Sequence, residues 1–291
     1  MPSLKEIRNR ITSVGSTMQI TSAMKMVSAA KLKRAQDAIT QMRPYSEKLQ
    51  EILSNLSATL DLSENAFSDT REVKNVLIVG ITSNRGLCGG FNNNVIKRVT
   101  QLVNEEYKDA NPRVLCLGKK IRDSYKRSDA YFINDALAPV EDIFNALNFE
   151  NTTVIANELM RMFTAKEFDK VVVVYNRFVN AATQDVRTEQ YLPIVPTVQE
   201  DNSSAGDYIF EPSKLEIVAD LIPKSLKIQL FKGLLDSNAA EHGARMTAMH
   251  KATDNASELQ KNLKLSYNKA RQAAITNEIL EIVGGAEALN S

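Results

Sequence analysis

Leu4, Ile7, Ile11, Val14, Met18 and Thr21 recur at alternating steps of three and four. Ala38, Met42, Tyr45, Leu49, Ile52 and Leu56 resume the pattern further on. This spacing puts apolar side chains on one narrow stripe, the seam of a helix lying lengthwise against another helix. The block, about Ser3 to Leu60, holds one glycine, Gly15, and one internal proline, Pro44. Ser3 followed by Glu6 forms a capping box at its start. Pro44 cannot donate its amide and predicts a kink. Straight, the block would be about 85 Å long at 1.5 Å per residue, too long for a compact domain.

A second helical block runs from about Pro212 to Val283. Ala252, Ala256, Leu259 and Leu263 repeat at four, three and four, and Ala270 and Ala273 keep the register. Small residues on this seam let a partner helix come close. Pro223 and Gly233 predict a break near the beginning, and Gly284 and Gly285 predict the end. Neither long helix can bury its stripe alone, so the two wind around each other.

Between them the pattern changes. "NVLIVGI", "RVLCLG" and "KVVVVYN" are short β-branched runs, as expected of strands buried on both faces. Amphipathic stretches, Asn94 to Tyr107 and Val140 to Phe163, alternate with them, which predicts a mainly parallel, Rossmann-like α/β sheet. "QDVRTEQYLPIV" reads as an antiparallel edge strand, and "QEDNSSAGDY" as a polar loop. The expected organisation is therefore a helix over 1–60, an α/β domain over 73–200 and a helix over 210–286.

Catalytic chemistry is sparse. The turn "TSNRGLCGGF" follows a strand, as phosphate-binding loops do. It has no lysine after Gly89 or Gly90, and Gly86, Gly89 and Gly90 are misplaced for the dinucleotide fingerprint. A tight connection, with glycines supplying positive φ or close packing, fits better. Cys88 and Cys116 form no CxxC pair. His242 and His250 lie eight apart without an acidic or Cys partner to complete a ligand set. No cofactor or metal is expected.

The 291 residues are 43% hydrophobic and 24% charged, with 36 basic against 35 acidic side chains. Charge near balance leaves electrostatic function to local patches. Ser3 to Gln36 is such a patch: Lys5, Arg8, Arg10, Lys25, Lys31, Lys33 and Arg34 stand against Glu6 alone. The excess points to an acidic partner, either nucleic acid or acidic protein loops. The absence of aromatics for base stacking favours protein. Met24 and Met26, two apart, cannot share one narrow seam, so one of them faces a partner. No apolar run reaches the roughly 20 residues of a membrane span, and the N-terminus lacks a secretory core. Mature protein made in the cytoplasm, with no transit peptide, is expected.

"LKEIRNRITSVGSTMQITSAMKMVSAAKLKRAQ" and "HGARMTAMHKATDNASELQKNLKLSYNKARQAAITNEILEIVGGAEAL" closely resemble the γ subunits of F-type ATP synthases. "TSNRGLCGGFN" matches that family's signature turn, with Asn84 where Asp is common. The resemblance implies an antiparallel coiled coil inside a hexamer of alternating α and β subunits. It further implies a foot that sits, with the ε subunit, on the membrane-embedded c-ring. Such a chain is a rotor subunit that couples ring rotation to ATP synthesis or hydrolysis on the β subunits, without a catalytic residue of its own.

By the same resemblance Met24 and Lys25 lie near an acidic lever loop of β, and Arg271, Gln272 and Thr276 meet a β catch loop. Ile279 to Leu289 would turn in an apolar sleeve, and Tyr208 and Glu211 would meet the c-ring. The cysteine pair of photosynthetic members is absent, so no thiol regulation is implied. A peripheral protein on the cytoplasmic face of a bacterial inner membrane is the implied setting. Two rivals follow from the residues alone: a nucleotide-dependent enzyme built on the middle domain, and a coiled-coil scaffold using its basic stripe on nucleic acid.

Overall fold

A computed structural model describes residues 3–57, 66–137, 140–194 and 214–290. The element order is α1 (Leu4–Ser57), β1 (Val76–Ile81), α2 (Phe91–Gln101), β2 (Pro112–Leu117), α3 (Lys119–Tyr125), β3 (Tyr131–Phe132), α4 (Phe149–Thr164), β4 (Lys170–Phe178), β5 (Gln184–Leu192) and α5 (Lys214–Asn290). The chain divides into two compact units: Met1–Ser28 with Met246–Ser291, and Ala29–Arg245.

Within Ala29–Arg245 the strands form one sheet in the order β3-β2-β1-β4-β5. β1 pairs in parallel with both β2 and β4, and β2 with β3, while β5 runs antiparallel on the edge. The apolar run of β1 is explained by its central position, since all six of its residues are buried. Alternate side chains serve opposite faces. Leu77, Val79 and Ile81 face Ile155, Leu159 and Phe163 of α4 and Ile222, Leu226, Leu230 and Leu234 of α5. Val76 and Ile78 face Val95 and Val99 of α2 and Ile121 of α3. Each such side chain, fully withdrawn from water, contributes about 1.5–3 kcal/mol.

Several expectations change here. The stretch from Val140 to Phe163 is not one helix. A 3-10 segment covers Val140–Asn145, and α4 starts afresh at Phe149 because the Asn148 side chain accepts the Asn151 amide at 2.8 Å. The Asn94–Tyr107 stretch begins earlier, at Phe91, and loosens into a π-turn over Leu102–Glu106. Pro44 and Pro223 both lie inside continuous helices. At Pro223 the cost of one missing amide bond is offset by Ile222 and Leu226, which anchor the helix on either side in the core. The seam of α1 also shifts, because Tyr45 is 58% exposed and Ser46 and Leu49 take the covered positions.

The other unit holds residues 3–28 of α1 and 246–290 of α5. Glu6 N donates to Ser3 Oγ at 3.2 Å, the expected cap. Arg8 donates to the Tyr267 hydroxyl at 2.8 Å, and Thr21 bonds Thr253 at 2.8 Å. A Cβ on Gly15 would meet Gln260. Rising numbers on one helix pair with falling numbers on the other, so the coil is antiparallel. Ile7, Thr21 and Ser28 of α1 and Met249 and Ala256 of α5 are its buried positions. Leu259 lies outside the seam, 49% exposed. From Ala256 the step is four, to Gln260, rather than three. Nor do Gly284 and Gly285 end α5, which runs on to Asn290.

Candidate docking surfaces

The glycine-rich turn leaves the carboxyl end of β1, where the neighbouring strands diverge to β2 and β4. Open α/β sheets bind ligands at that place. Here the side chains at the start of the turn are already engaged. Asn92 Oδ1 accepts the Ser83 amide at 3.0 Å, the Ser83 hydroxyl donates to the Arg85 carbonyl at 2.6 Å, and Asn84 Oδ1 accepts the Lys119 amide at 3.0 Å. Gly89 supplies a positive φ of 59°. Cys88 and Phe91 pack against Ala240 and Ala244 of α5. Arg245 Nη2 donates to the Arg85 and Gly86 carbonyls, 3.3 Å each, and its Nη1 donates to Glu241 at 2.5 Å. Helix α5 therefore closes one side of the turn. On its other side the turn opens to a depression of about 370 Å³, lined by Gly86 and Gly89 of the turn, Asn92 and Ile96 of α2, and Lys120 and Asp123 of α3.

The electrostatics around Arg245 follow from burial. Withdrawal from water pushes the Glu241 carboxyl up, and Arg245 opposes that shift. Burial first, then Arg245 and Lys31, push His242 down to about 4, so its imidazole is neutral at neutral pH. Cys88 is raised, chiefly by burial. A thiol in that state is a poor nucleophile. Among the described residues no group of three or more His, Cys, Asp or Glu could hold a metal ion, and no helix is long and apolar enough to cross a membrane.

The basic stripe is partly spent within the chain. Arg10 pairs with Glu6 at 3.2 Å, Lys33 with Asp37 at 2.8 Å, and Arg8 sits over the Tyr267 ring, 5.7 Å from its centroid. Lys5, Lys25, Lys31 and Arg34 form no ion pair with the described residues. Met24 is half-buried, while Met26 is 65% exposed, which identifies the outward methionine. Ile20 and Val27 are exposed as well, and being seven apart they lie on one face of the helix. Their seven-residue spacing, off the seam, was the available sequence signal.

The coil's register explains the far end of α5. Arg8 stands level with Tyr267, so the beginning of α1 at Leu4 stands level with about Arg271. From Arg271 to Ala286 every residue of α5 is exposed. Ala273, expected on the seam, is uncovered for this reason. Arg271, Gln272 and Thr276 share this uncovered segment, and the Thr276 hydroxyl donates to the Gln272 carbonyl at 2.9 Å. Ile275, Ile279, Leu280, Ile282 and Val283 project from it, 49 to 66% exposed.

Met24 and Lys25 stand instead level with the region near His250, just beyond Thr253. About twenty residues of helix, roughly 30 Å, separate them from Arg271. The residues expected to touch a partner therefore form two belts rather than one site. Tyr208 and Glu211 lie outside the described residues.

A profile of the family described as ATP synthase matches residues 3–289. The chain is 62% identical over 291 residues to the ATP synthase gamma chain of Christiangramia forsetii, and equally so to that of Flavobacterium johnsoniae, covering each completely. It is 53% identical to that of Cytophaga hutchinsonii, again over the whole of both chains. The rotor of the Euglena gracilis mitochondrial ATP synthase superposes with a TM-score of 0.64 at 20% identity, over 94% of this chain and 98% of that one. A chain from the Tetrahymena thermophila mitochondrial ATP synthase central stalk and c-ring gives 0.55 at 24% identity, over 80% and 99%. These structures share the fold: two long helices and a mainly parallel sheet.

Proposed function

The chain belongs to the gamma-chain family of ATP synthases, and from that premise we propose that it is a non-catalytic shaft. It turns within a hexamer of α and β subunits and passes rotation between a membrane ring and the nucleotide sites on β. The observation that carries this reading is the uncovered end of α5. Sixteen residues, Arg271 to Ala286, leave the coil with no covering segment among the described residues. Their apolar side chains need a sleeve supplied by other subunits.

A shaft biases a site by touching one of its conformations better than another. Swinging a site from 1:99 to 99:1 between two states takes about 5.5 kcal/mol of differential contact. Two belts can supply it. In the lower belt Met24 and Lys25 meet an acidic lever loop of β, with the Lys25 charge giving attraction and Met26 an adaptable apolar contact. In the upper belt Arg271, Gln272 and Thr276 meet a polar catch loop of β. Ile279 to Leu289 turn in the apolar sleeve.

The remaining assignments rest on family membership. Tyr208 and Glu211 contact the c-ring, and the ε subunit binds the foot. The chain binds no nucleotide itself, a reading supported by the turn's missing lysine and the spacing of Gly86, Gly89 and Gly90. It is a peripheral membrane protein held on the cytoplasmic face of the inner membrane through the ring.

The test is MgATP hydrolysis by purified α and β subunits with and without the chain, including an Arg271→Ala, Gln272→Ala variant. Strong activation by the wild type, no turnover by the chain alone and weaker activation by the variant are expected. Turnover by the chain alone, or no activation, would overturn the reading.

A further inference from the structure

Three ties fasten the sheet to α5 within Ala29–Arg245. The Tyr191 hydroxyl, on a side chain 1% exposed, donates to the Leu226 carbonyl at 3.0 Å. Gly243 brings α5 against the β4–β5 hairpin, where a Cβ would lie 3.2 Å from Ala181 Cα and 3.3 Å from the Phe178 ring. Arg245 holds the glycine-rich turn by two carbonyls. From α1, Ile52 packs against the same core at its margin. The Tyr191 and Arg245 ties both run to α5.

Arg245 differs from the other two ties in reach and in chemistry. Its guanidinium spans from the helix to the turn at the carboxyl end of β1, the centre of the sheet. Glu241, one helical turn back, fixes the fork from behind, and both side chains are about nine-tenths buried. A planar fork held at one end by a carboxylate and at the other by two carbonyls resists rotation about the helix axis. An apolar contact would slide. The Ser83 hydroxyl, donating to the Arg85 carbonyl at 2.6 Å, stiffens one of the two carbonyls the turn presents.

We infer that Arg245, seated in the glycine-rich turn and braced by Glu241, is a positioning residue that keys the α/β domain to α5, so that torque passes between foot and shaft through α5. This rests on the shaft reading above. The turn is thereby a socket for a side chain of the same chain.

The experiment uses the full chain assembled with immobilised α and β subunits, arrested with bound nucleotide, and a bead attached to the α/β domain. The angular variance of the bead reports the stiffness between domain and shaft. Arg245→Lys keeps the charge opposite Glu241 but loses the fork, and should raise the variance about twofold or more. A Glu241→Gln, Arg245→Met chain removes both charges at similar volume and should do the same, which covers the case in which Arg245→Lys fails to assemble. Assembled variants with wild-type variance would overturn the key. A wild-type bead that is not held at all would instead overturn the shaft reading, so the two failures are distinct.

Discussion

Asp169 to alanine should be among the most damaging single changes in the α/β domain. Asp169 lies at the entrance to β4, 9% exposed, and one carboxylate oxygen accepts the Lys74 and Asn75 amides at 3.0 and 2.9 Å. The other pairs with Arg71 Nε at 2.7 Å. Arg71 in turn donates to the Phe163 and Phe168 carbonyls at 2.9 and 2.7 Å and stacks over the Phe163 ring, 4.7 Å from its centroid. Alanine would strand two amides at the entrance to β1 and leave the largely buried guanidinium only the longer, 3.5 Å ion pair with the half-exposed Asp69. Breaking one partner of a buried pair costs about 3–5 kcal/mol, a large share of the roughly 5–15 kcal/mol that holds a domain folded.

Burial works against the Asp169 charge, but the Asn75 and Lys74 amides and Arg71 outweigh it and hold its pKa below the usual carboxylate range. A depressed folded-state value means the contribution is present above pH ~4 and is lost as pH falls through the folded value. The assay is urea unfolding of the full chain, followed by circular dichroism at neutral pH. A loss for Asp169→Ala of less than about 1 kcal/mol, the size of an ordinary surface change, would refute the reasoning.

Other expectations follow from single residues. Gly118 sits at φ 116°, and a Cβ there would lie 2.1 Å from the Thr82 carbonyl oxygen. Gly118→Ala should therefore cost on the order of 3 kcal/mol or more, read from the same unfolding curves. Gly15→Ala meets only the end of the Gln260 side chain. It should stabilise α1 by about 1 kcal/mol and raise the melting temperature; a fall would show that Gln260 cannot move aside. Burial first raises Asp236 to about 6, opposed by Lys232, Arg177 and Arg43 and reinforced by Glu189. A raised folded-state pKa gives stability that is fully present below the unfolded value of 3.8 and is lost as pH rises through about 6. Melting curves should show wild type declining between those values and Asp236→Asn staying flatter, and parallel declines would contradict this.

Legibility in the sequence tracked how much of each element's environment is local. β1 was readable because a strand buried on both faces has no polar position to hide it, and β5 because an edge strand keeps polar ones. The two-residue β3 and the seven-residue α3 are too short to show a period, and tertiary pairing alone creates them. The long seams were visible, but at Leu259 and Tyr45 a step of three or four fits equally well, and only the facing helix decides. Glu241 and Arg245 at i, i+4 look like a solvated surface pair; their burial depends on a turn about 160 residues away in the chain. Gly284 and Gly285 failed as a stop because glycine costs a helix only about 1 kcal/mol each, which the flanking glutamates, alanines and leucines offset. The two belts were legible as residues, while their separation needed the coil's register.

The central claim is that the chain rotates as a unit and drives the β sites by doing so. The most direct measurement fixes the α and β subunits to a surface, labels the α/β domain and supplies MgATP. Unidirectional stepping of the label, abolished when a cross-link joins the Lys25 belt to β and restored when the cross-link is reduced, is the predicted result. Hydrolysis that continues at full rate with the label stationary, or with the cross-link in place, would contradict the account.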